Sequence, residues 1–251
     1  MSDTISEPVH AALRERAPLV QCITNYVSMD LAANVLNAAG ASPAMVHDPR
    51  EAAEFAALAD AVVANIGTPS PRWIEGMTDA VSTAHDAGTP WVLDPVAVGA
   101  TAFRREAVER LLEFEPTVIR GNASEILTIA ARTASGRGVD SDASLAQVRE
   151  HADELAKRTG AVVAVTGSED YVTDGGREPV VLSGGDPRMP QIIALGCSLS
   201  ALVGACLAVH DDAYDATAAA LVMMSSAGER AGVEADGPGS LRWRLIDELS
   251  R

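Results

Sequence analysis

Lysine is almost missing from this chain. Lys157 is the single one among nineteen basic residues, which face thirty-five acidic ones for a net charge of −16 over 251 residues. A surface of that sign repels phosphodiester backbones and anionic headgroups, so neither nucleic acid nor membrane is an expected partner. Cysteine is scarce as well. Cys22, Cys197 and Cys206 are too few and too scattered for a disulfide framework, and no Cys-x-x-Cys pair suggests zinc. The five histidines show no metal-ligand spacing. No apolar run reaches membrane-spanning length, and the first fifteen residues carry acids where a signal peptide has a basic start and an apolar centre, so the expected compartment is the cytoplasm. A Gly-x-x-x-x-Gly-Lys-Ser/Thr loop is absent, and so is a dinucleotide fingerprint. A nucleotide would have to be held by other means.

What is present is core. With 47% hydrophobic residues, residues 1–251 can bury one α/β domain, and no repeat or linker divides them. After a polar N-terminal helix, short apolar runs alternate with helical patterns. Residues 19–23 end at Thr24-Asn25 before a helix over 29–39 stopped by Gly40; 44–46 precede a helix from about Arg50; 61–66 end in Gly67-Thr68 before a helix over about 70–87. Residues 91–93 end in Asp94-Pro95, 118–119 end in Arg120-Gly121-Asn122 before a helix over 123–131, and 161–165 end in Thr166-Gly167. This alternation predicts a mostly parallel sheet with helices on both faces and ligands at the carboxyl ends of its strands. Residues 171–173 and 180–182 read as a hairpin across Asp174-Gly175-Gly176, and 135–143 as an exposed loop followed by a helix. Ala-rich helices fill the remainder, the last capped by Ser240.

The strand ends collect the chemistry. Gly196-Cys197 opens a long apolar helix, whose free amides suit a phosphate. Arg120 closes an apolar strand and calls for an anion, Glu125 falls in a first helical turn, and Asp94 ends a strand. Phosphoryl transfer needs a neutralised γ-phosphate, Mg²⁺ and an oriented alcohol, which these parts could supply. Each also has a plainer reading: Cys197 as a small buried hydrophobe, Asp94 as a loop cap, Glu125 as a solvated first-turn acid, Met45 as core.

Eight ordered blocks between residues 18 and 241 add a resemblance. They are Gln21-Cys22-Ile23-Thr24-Asn25, Gly40-Ala41-Ser42-Pro43-Ala44-Met45, Asn65-Ile66-Gly67-Thr68, Leu93-Asp94-Pro95-Val96, Arg120-Gly121-Asn122-Ala123-Ser124-Glu125, Gly138-Val139-Asp140-Ser141, Val165-Thr166-Gly167 with Asp170-Tyr171-Val172-Thr173-Asp174-Gly175, and Gly237-Pro238-Gly239-Ser240. Together they resemble the hydroxyethylthiazole kinase family. The resemblance implies a ribokinase-like α/β fold and Mg²⁺-assisted transfer of the γ-phosphate of ATP to 4-methyl-5-(2-hydroxyethyl)thiazole in thiamine salvage. It also implies a homotrimer with interfacial active sites. It assigns Asn25, Met45, Gly67, Thr68 and Ala194 to the thiazole, Arg120, Asn122, Thr166 and Gly167 to ATP, and Asp94 and Glu125 to the metal. Gly196 and Cys197 take the catalytic place. There the helix N-terminus is expected to lower the thiol's pKa, leaving Cys197 as base or as positioning group.

One stretch departs from the family. Where the pattern is Thr-Gly-Thr-Gly-Cys, this chain has Ile193-Ala194-Leu195-Gly196-Cys197, with one glycine and two hydroxyls replaced. That departure leaves room for a thiazole-binding homologue with weakened transfer, and for a kinase of the same fold acting on another small alcohol such as hydroxymethylpyrimidine.

Overall fold

Five-residue apolar runs without polar alternation can bury both their faces only inside a parallel sheet clothed by helices, and that is where they lie. The computed structural model describes residues 2–133 and 145–251, so the expected loop at 135–143, with the Gly138-Val139-Asp140-Ser141 block, falls outside the described residues. In chain order the elements are α1 Ser2–Arg16, β1 Leu19–Ile23, α2 Met29–Ala39, β2 Ser42–Ala44, α3 Ala52–Ala56, β3 Ala61–Asn65, α4 Pro71–Ala87, β4 Trp91–Asp94 and α5 Ala102–Leu112. Then come β5 Val118–Asn122, α6 Ala123–Thr133, α7 Leu145–Thr159, β6 Val162–Thr166, β7 Asp170–Thr173, β8 Val180–Leu182, α8 Leu195–Val209, α9 Ala213–Gly232 and α10 Pro238–Leu249.

The strands form one sheet in the order β2-β1-β3-β4-β5-β6-β7-β8, parallel from β2 to β6 and finished by the antiparallel pair β7 and β8. From β1 the chain goes to one side for β2 and to the other for β3. That reversal opens a crevice at the carboxyl ends of β1 and β3, the usual ligand position in such sheets. Pleating sends Val63 and Val92 to one face, among α1, α2, α8, α9 and α10, and Val62, Ala64, Trp91 and Leu93 to the other, among α3 to α7. Among the described residues no helix is long and apolar enough to cross a membrane.

α8 is apolar all round because it is buried all round, packed over β1, β3 and β4 and between α2 and α9. Its close approach to the sheet depends on Gly204, where a Cβ would stand 2.7 Å from Val63 Cγ2.

Several boundaries differ from those the sequence predicts. β2 lies at Ser42–Ala44 rather than 44–46, because Ser42 pairs with Leu19 and the missing N–H of Pro43 is harmless on an edge strand. The next helix begins at Ala52, since Asp48 turns the chain by accepting from the Arg50 amide at 3.1 Å. β5 continues through Asn122, where residues 120–122 pair with 164–166 of β6. Helix α5 has no counterpart in the sequence reading. Its only buried apolar residues are Ala107, Val108 and Leu111, too few for a clear periodic signal. Ser240 lies inside α10, three residues after Gly237, and its hydroxyl accepts from the amides of Asp236 and Gly237.

Gly204→Ala tests the α8 packing. Overpacking costs about 1–3 kcal/mol, against about 1 kcal/mol that alanine gains over glycine within a helix. The variant is expected to melt a few degrees below the parent in calorimetry, and an equal or higher Tm would mean that α8 stands further from β3.

Candidate active site

The centre of the crevice is a buried polar chain. Asp94, at the end of β4, is fully enclosed, and its Oδ2 accepts from Asn65 Nδ2 on β3 and from Ser200 Oγ on α8, both at 2.7 Å. Its Oδ1 is buried with no hydrogen-bond partner among the described residues, and Asp94 lines the neighbouring cleft. Burial pushes the Asp94 carboxyl up; Arg120 and the Ser200 hydroxyl pull it down, and Glu125 adds to the rise. Asn65 passes the chain on: its Oδ1 accepts from Asn25 Nδ2 at 2.8 Å and from the Gly67 amide at 2.9 Å. Asn25 Nδ2 also reaches Cys197 Sγ at 3.3 Å. Gly67 has to be glycine for this, because a Cβ there would lie 2.5 Å from Asn25 Nδ2.

Beside Asp94 opens a cleft of about 910 Å³, whose polar side is lined by Arg120, Asn122, Glu125, Thr166 and Gly167 and whose floor includes Gly196 and Cys197. Arg120 Nη1 is 3.9 Å from Asp94 Oδ2, and Nη2 donates to the Thr166 hydroxyl. The guanidinium rests on the first turn of α8: a Cβ on Gly196 would stand 2.9 Å from Nη1. Glycine at 196 is therefore a matter of space, which lets an arginine lie against a helix N-terminus, two features that each suit an anion. The Gly167 amide is held by Asp170 Oδ1 at 3.0 Å.

Asn122 and Glu125 have a structural duty that their spacing could have revealed. Asn122 Oδ1 accepts from the Glu125 amide at 3.0 Å and Glu125 Oε2 accepts from the Asn122 amide at 2.8 Å, a reciprocal capping box opening α6. Glu125 Oε1 accepts from the Ala97 amide at 2.9 Å. Glu125 thus ties the end of β5 to the loop after β4, with one committed amide on each oxygen.

The divergent stretch keeps the turn expected of a glycine. Ala194 precedes α8 in the left-handed region at φ 70°, ψ 5°. Its carbonyl accepts the Ser198 amide at 3.0 Å, so the helix starts normally, and its first residues, 195–197, line the cleft. Leu195 is buried in the core, whereas Ile193 is 71% exposed at the cleft mouth. For Cys197 the structure corrects the expectation of a lowered pKa. Burial pushes the thiol up and the Asp94 carboxylate adds to it, while the Asn25 contact and Arg120 oppose. Desolvation is the largest of these effects, and the net direction is upward, which disfavours Cys197 as a base.

The site residues named from the sequence fall into two groups. Arg120, Asn122, Thr166, Gly167, Asp94, Glu125, Ala194, Gly196 and Cys197 all line the cleft. Asn25, Gly67, Thr68 and Met45 do not; the first joins the cleft through Cys197, Thr68 accepts from the Tyr26 amide at 3.2 Å, and Met45 packs half-buried on the core. Missed from the sequence were Asn65, Ser200 and Asp170. Asn65 had a signal, a polar side chain closing an otherwise apolar strand. Ser200 had one too, standing four residues after Gly196 and so on its helix face.

Two predictions follow from α8's first turn. Because the Cys197 thiol sits above its ordinary 9.0, little of it is thiolate at pH 8, and iodoacetamide labelling of the native protein is expected to climb only above pH 9. Cys22, pushed up to about 12, and the equally buried Cys206 stay unlabelled until unfolding. A labelling pKa below 8 would restore the base role. Ala194→Gly removes the cost of alanine in the left-handed region and is expected to raise stability by about 1 kcal/mol, read as a higher denaturant midpoint at constant m; a lower midpoint would contradict the left-handed turn.

A family model described as the hydroxyethylthiazole kinase family matches residues 10–251. A hydroxyethylthiazole kinase from Rhizobium johnstonii is 58% identical over 240 residues, covering 95% of this chain and 90% of its own. A solved hydroxyethylthiazole kinase structure from Pyrococcus horikoshii superposes with a TM-score of 0.91 at 38% identity, over 99% of this chain and 93% of that one. A ribokinase-like superfamily protein from Enterococcus faecalis, 13% identical with a TM-score of 0.66 over 99% and 94% of the two chains, shares the fold alone. The cleft, its buried carboxylate and the glycine that seats Arg120 on α8 thus lie in a chain of ribokinase-like fold that belongs to the hydroxyethylthiazole kinase family.

Proposed function

We propose that this chain, acting as one kinase domain, transfers the γ-phosphoryl group of ATP to the hydroxyl of 4-methyl-5-(2-hydroxyethyl)thiazole. The observation that carries the reading is the convergence of Arg120, Thr166 and the first amides of α8 beside a buried carboxylate that keeps one oxygen free. Arg120 and those amides hold the phosphates and face the charge that grows on the transferred group. Thr166 and Gly167, the latter braced by Asp170, flank them. Asn25 and Cys197 bound the place of the alcohol, the thiol orienting the hydroxyl as a neutral group. The bond from the alcohol oxygen to the γ-phosphorus forms as the bond to ADP breaks. The hydroxyl proton passes to an oxygen of the transferred phosphoryl group, because Cys197 as a neutral thiol already carries its proton and has no place for another.

The residues present fit a magnesium ion of the kind that keeps several waters and binds through one or two carboxylates plus phosphate oxygens. Asp94, whose Oδ1 is buried without a partner among the described residues, and Glu125, through the remaining lone pairs of its two oxygens, would hold it. When bound, the ion neutralises charge on the phosphates.

The preserved turn at Ala194 supports full transfer over a weakened homologue, since the amides that would stabilise phosphate are retained. A homotrimer with interfacial sites is favoured by the exposure of Tyr26, at 68%, and Val27, at 60%, next to Asn25 and Thr68. Three free cysteines, two of them buried, suit a reducing cytoplasm.

Purified protein with ATP and Mg²⁺ is expected to convert the thiazole alcohol to its phosphate ester far faster than hydroxymethylpyrimidine. Asp94→Asn should lower kcat on the order of 100-fold or more, the scale of losing one transition-state electrostatic group, while light scattering gives three times the chain mass. Absence of product with the thiazole alcohol would sink the reading.

A further inference from the structure

Arg104 stands in the first turn of α5, its amide bonded at 3.3 Å to the capping hydroxyl of Thr101. A cation there opposes the helix dipole, and no acid shares that turn, so the helix gains nothing from its charge. Among the described residues it forms no ion pair. Its guanidinium is instead committed to three backbone carbonyls: Nη1 donates to Ile66 at 2.6 Å and to Val96 at 2.8 Å, and Nη2 donates to Gly67 at 2.8 Å. Ile66 and Gly67 follow β3, and Val96 follows β4. The ladder between these strands ends at Asn65 and Asp94, with a last bond from the Ile66 amide to the Asp94 carbonyl at 3.2 Å. Past that point Arg104 bridges the two segments.

What it links is informative. On one side, the Gly67 amide is fixed by Asn65, and Thr68 is joined to Tyr26. On the other, Val96 sits between Asp94 and Ala97, whose amide holds Glu125. A planar fork with several donors can bridge carbonyls from two strands, which a point charge on a flexible stem cannot. We propose that Arg104 is a positioning residue for the transfer: its guanidinium fixes the Gly67-Thr68 loop, which adjoins Asn25 at the alcohol's place, against the Asp94-Pro95-Val96 segment and so sets the separation between alcohol and phosphate. This rests on the kinase reading above.

The test compares Arg104→Lys and Arg104→Ala with the parent, measuring kcat, KM for the thiazole alcohol, Kd for ADP and Tm. Both variants are expected to raise KM for the alcohol at least 10-fold and to lower kcat, with ADP binding within twofold of the parent. Lysine, although it keeps the charge, should rescue little, whereas low millimolar guanidinium ion should restore part of the alanine variant's rate. If KM and kcat stay within twofold, or if ADP binding weakens in step with KM, Arg104 has no positioning role. Should the alanine variant fail to fold, the lysine variant carries the comparison. A parent that does not phosphorylate the thiazole alcohol overturns the kinase reading and this proposal with it, whereas an active parent with indifferent variants overturns the positioning role only.

Discussion

A carboxylate withdrawn completely from water constrains everything near it. Asp94 can be buried at the end of β4 only if hydrogen bonds and a cation compensate its lost hydration, since an uncompensated buried charge costs several kcal/mol. The compensation comes from three elements at once: Asn65 on β3, Ser200 on α8 and Arg120 on β5. Each therefore has a required position, and the helix, the crevice strand and the phosphate-side strand are brought into mutual register by one side chain. Both short bonds go to Oδ2, which leaves Oδ1 buried without a partner among the described residues, a cost that the proposed function would explain if a ligand meets it.

The same constraint explains what was legible in the sequence. The parallel sheet, the helix after nearly every strand and the edge hairpin follow from apolar runs and glycine stops, and these are local signals. Arg120, Thr166, Gly196 and Asp94 were legible because strand ends and helix starts are where such folds place chemistry. Asn65 and Ser200 were not, because their meaning is relational: neither makes sense until β3, β4 and α8 are in contact. Arg104 was hidden more deeply, in a helix with few buried apolar residues whose arginines look like a solvated face. Glu125 was legible as important but not as to kind, since a capping box and a metal ligand share the same Asn-x-x-Glu spacing.

Electrostatics at the scale of the whole chain oppose the proposed chemistry, and local arrangement has to overcome them. A net charge of −16 repels a nucleotide triphosphate at long range, although salt screens this beyond about 10 Å. Inside the cleft screening is weak, and there the positive groups are concentrated: a guanidinium lying on a helix N-terminus, with its Nε buried and without a partner among the described residues. Two of the acidic cleft residues are meanwhile engaged by backbone donors, Glu125 by two amides and Asp170 by the Gly167 amide. For the proposed chemistry, how these acids are engaged thus matters more than their number.

The divergent turn before α8 shows how a broken motif can preserve a geometry. Set against the pattern that the family resemblance implies, Ile193-Ala194-Leu195 lacks a glycine and two hydroxyls; in the structure the three positions carry unequal weight. Ala194 holds the left-handed conformation that the helix start requires, and the Ser198 amide and hydroxyl both bond its carbonyl at 3.0 Å, securing the strained residue from within the helix. Leu195 exchanges a hydroxyl for burial in the core, which anchors the first turn of α8 by packing. Only Ile193, exposed at the cleft mouth, is a replacement without structural compensation, and nothing in its surroundings explains an apolar side chain there. If, as proposed, backbone amides rather than side-chain hydroxyls present the donors to the phosphate, conformation is the quantity that has to be kept, and two of the three positions keep it.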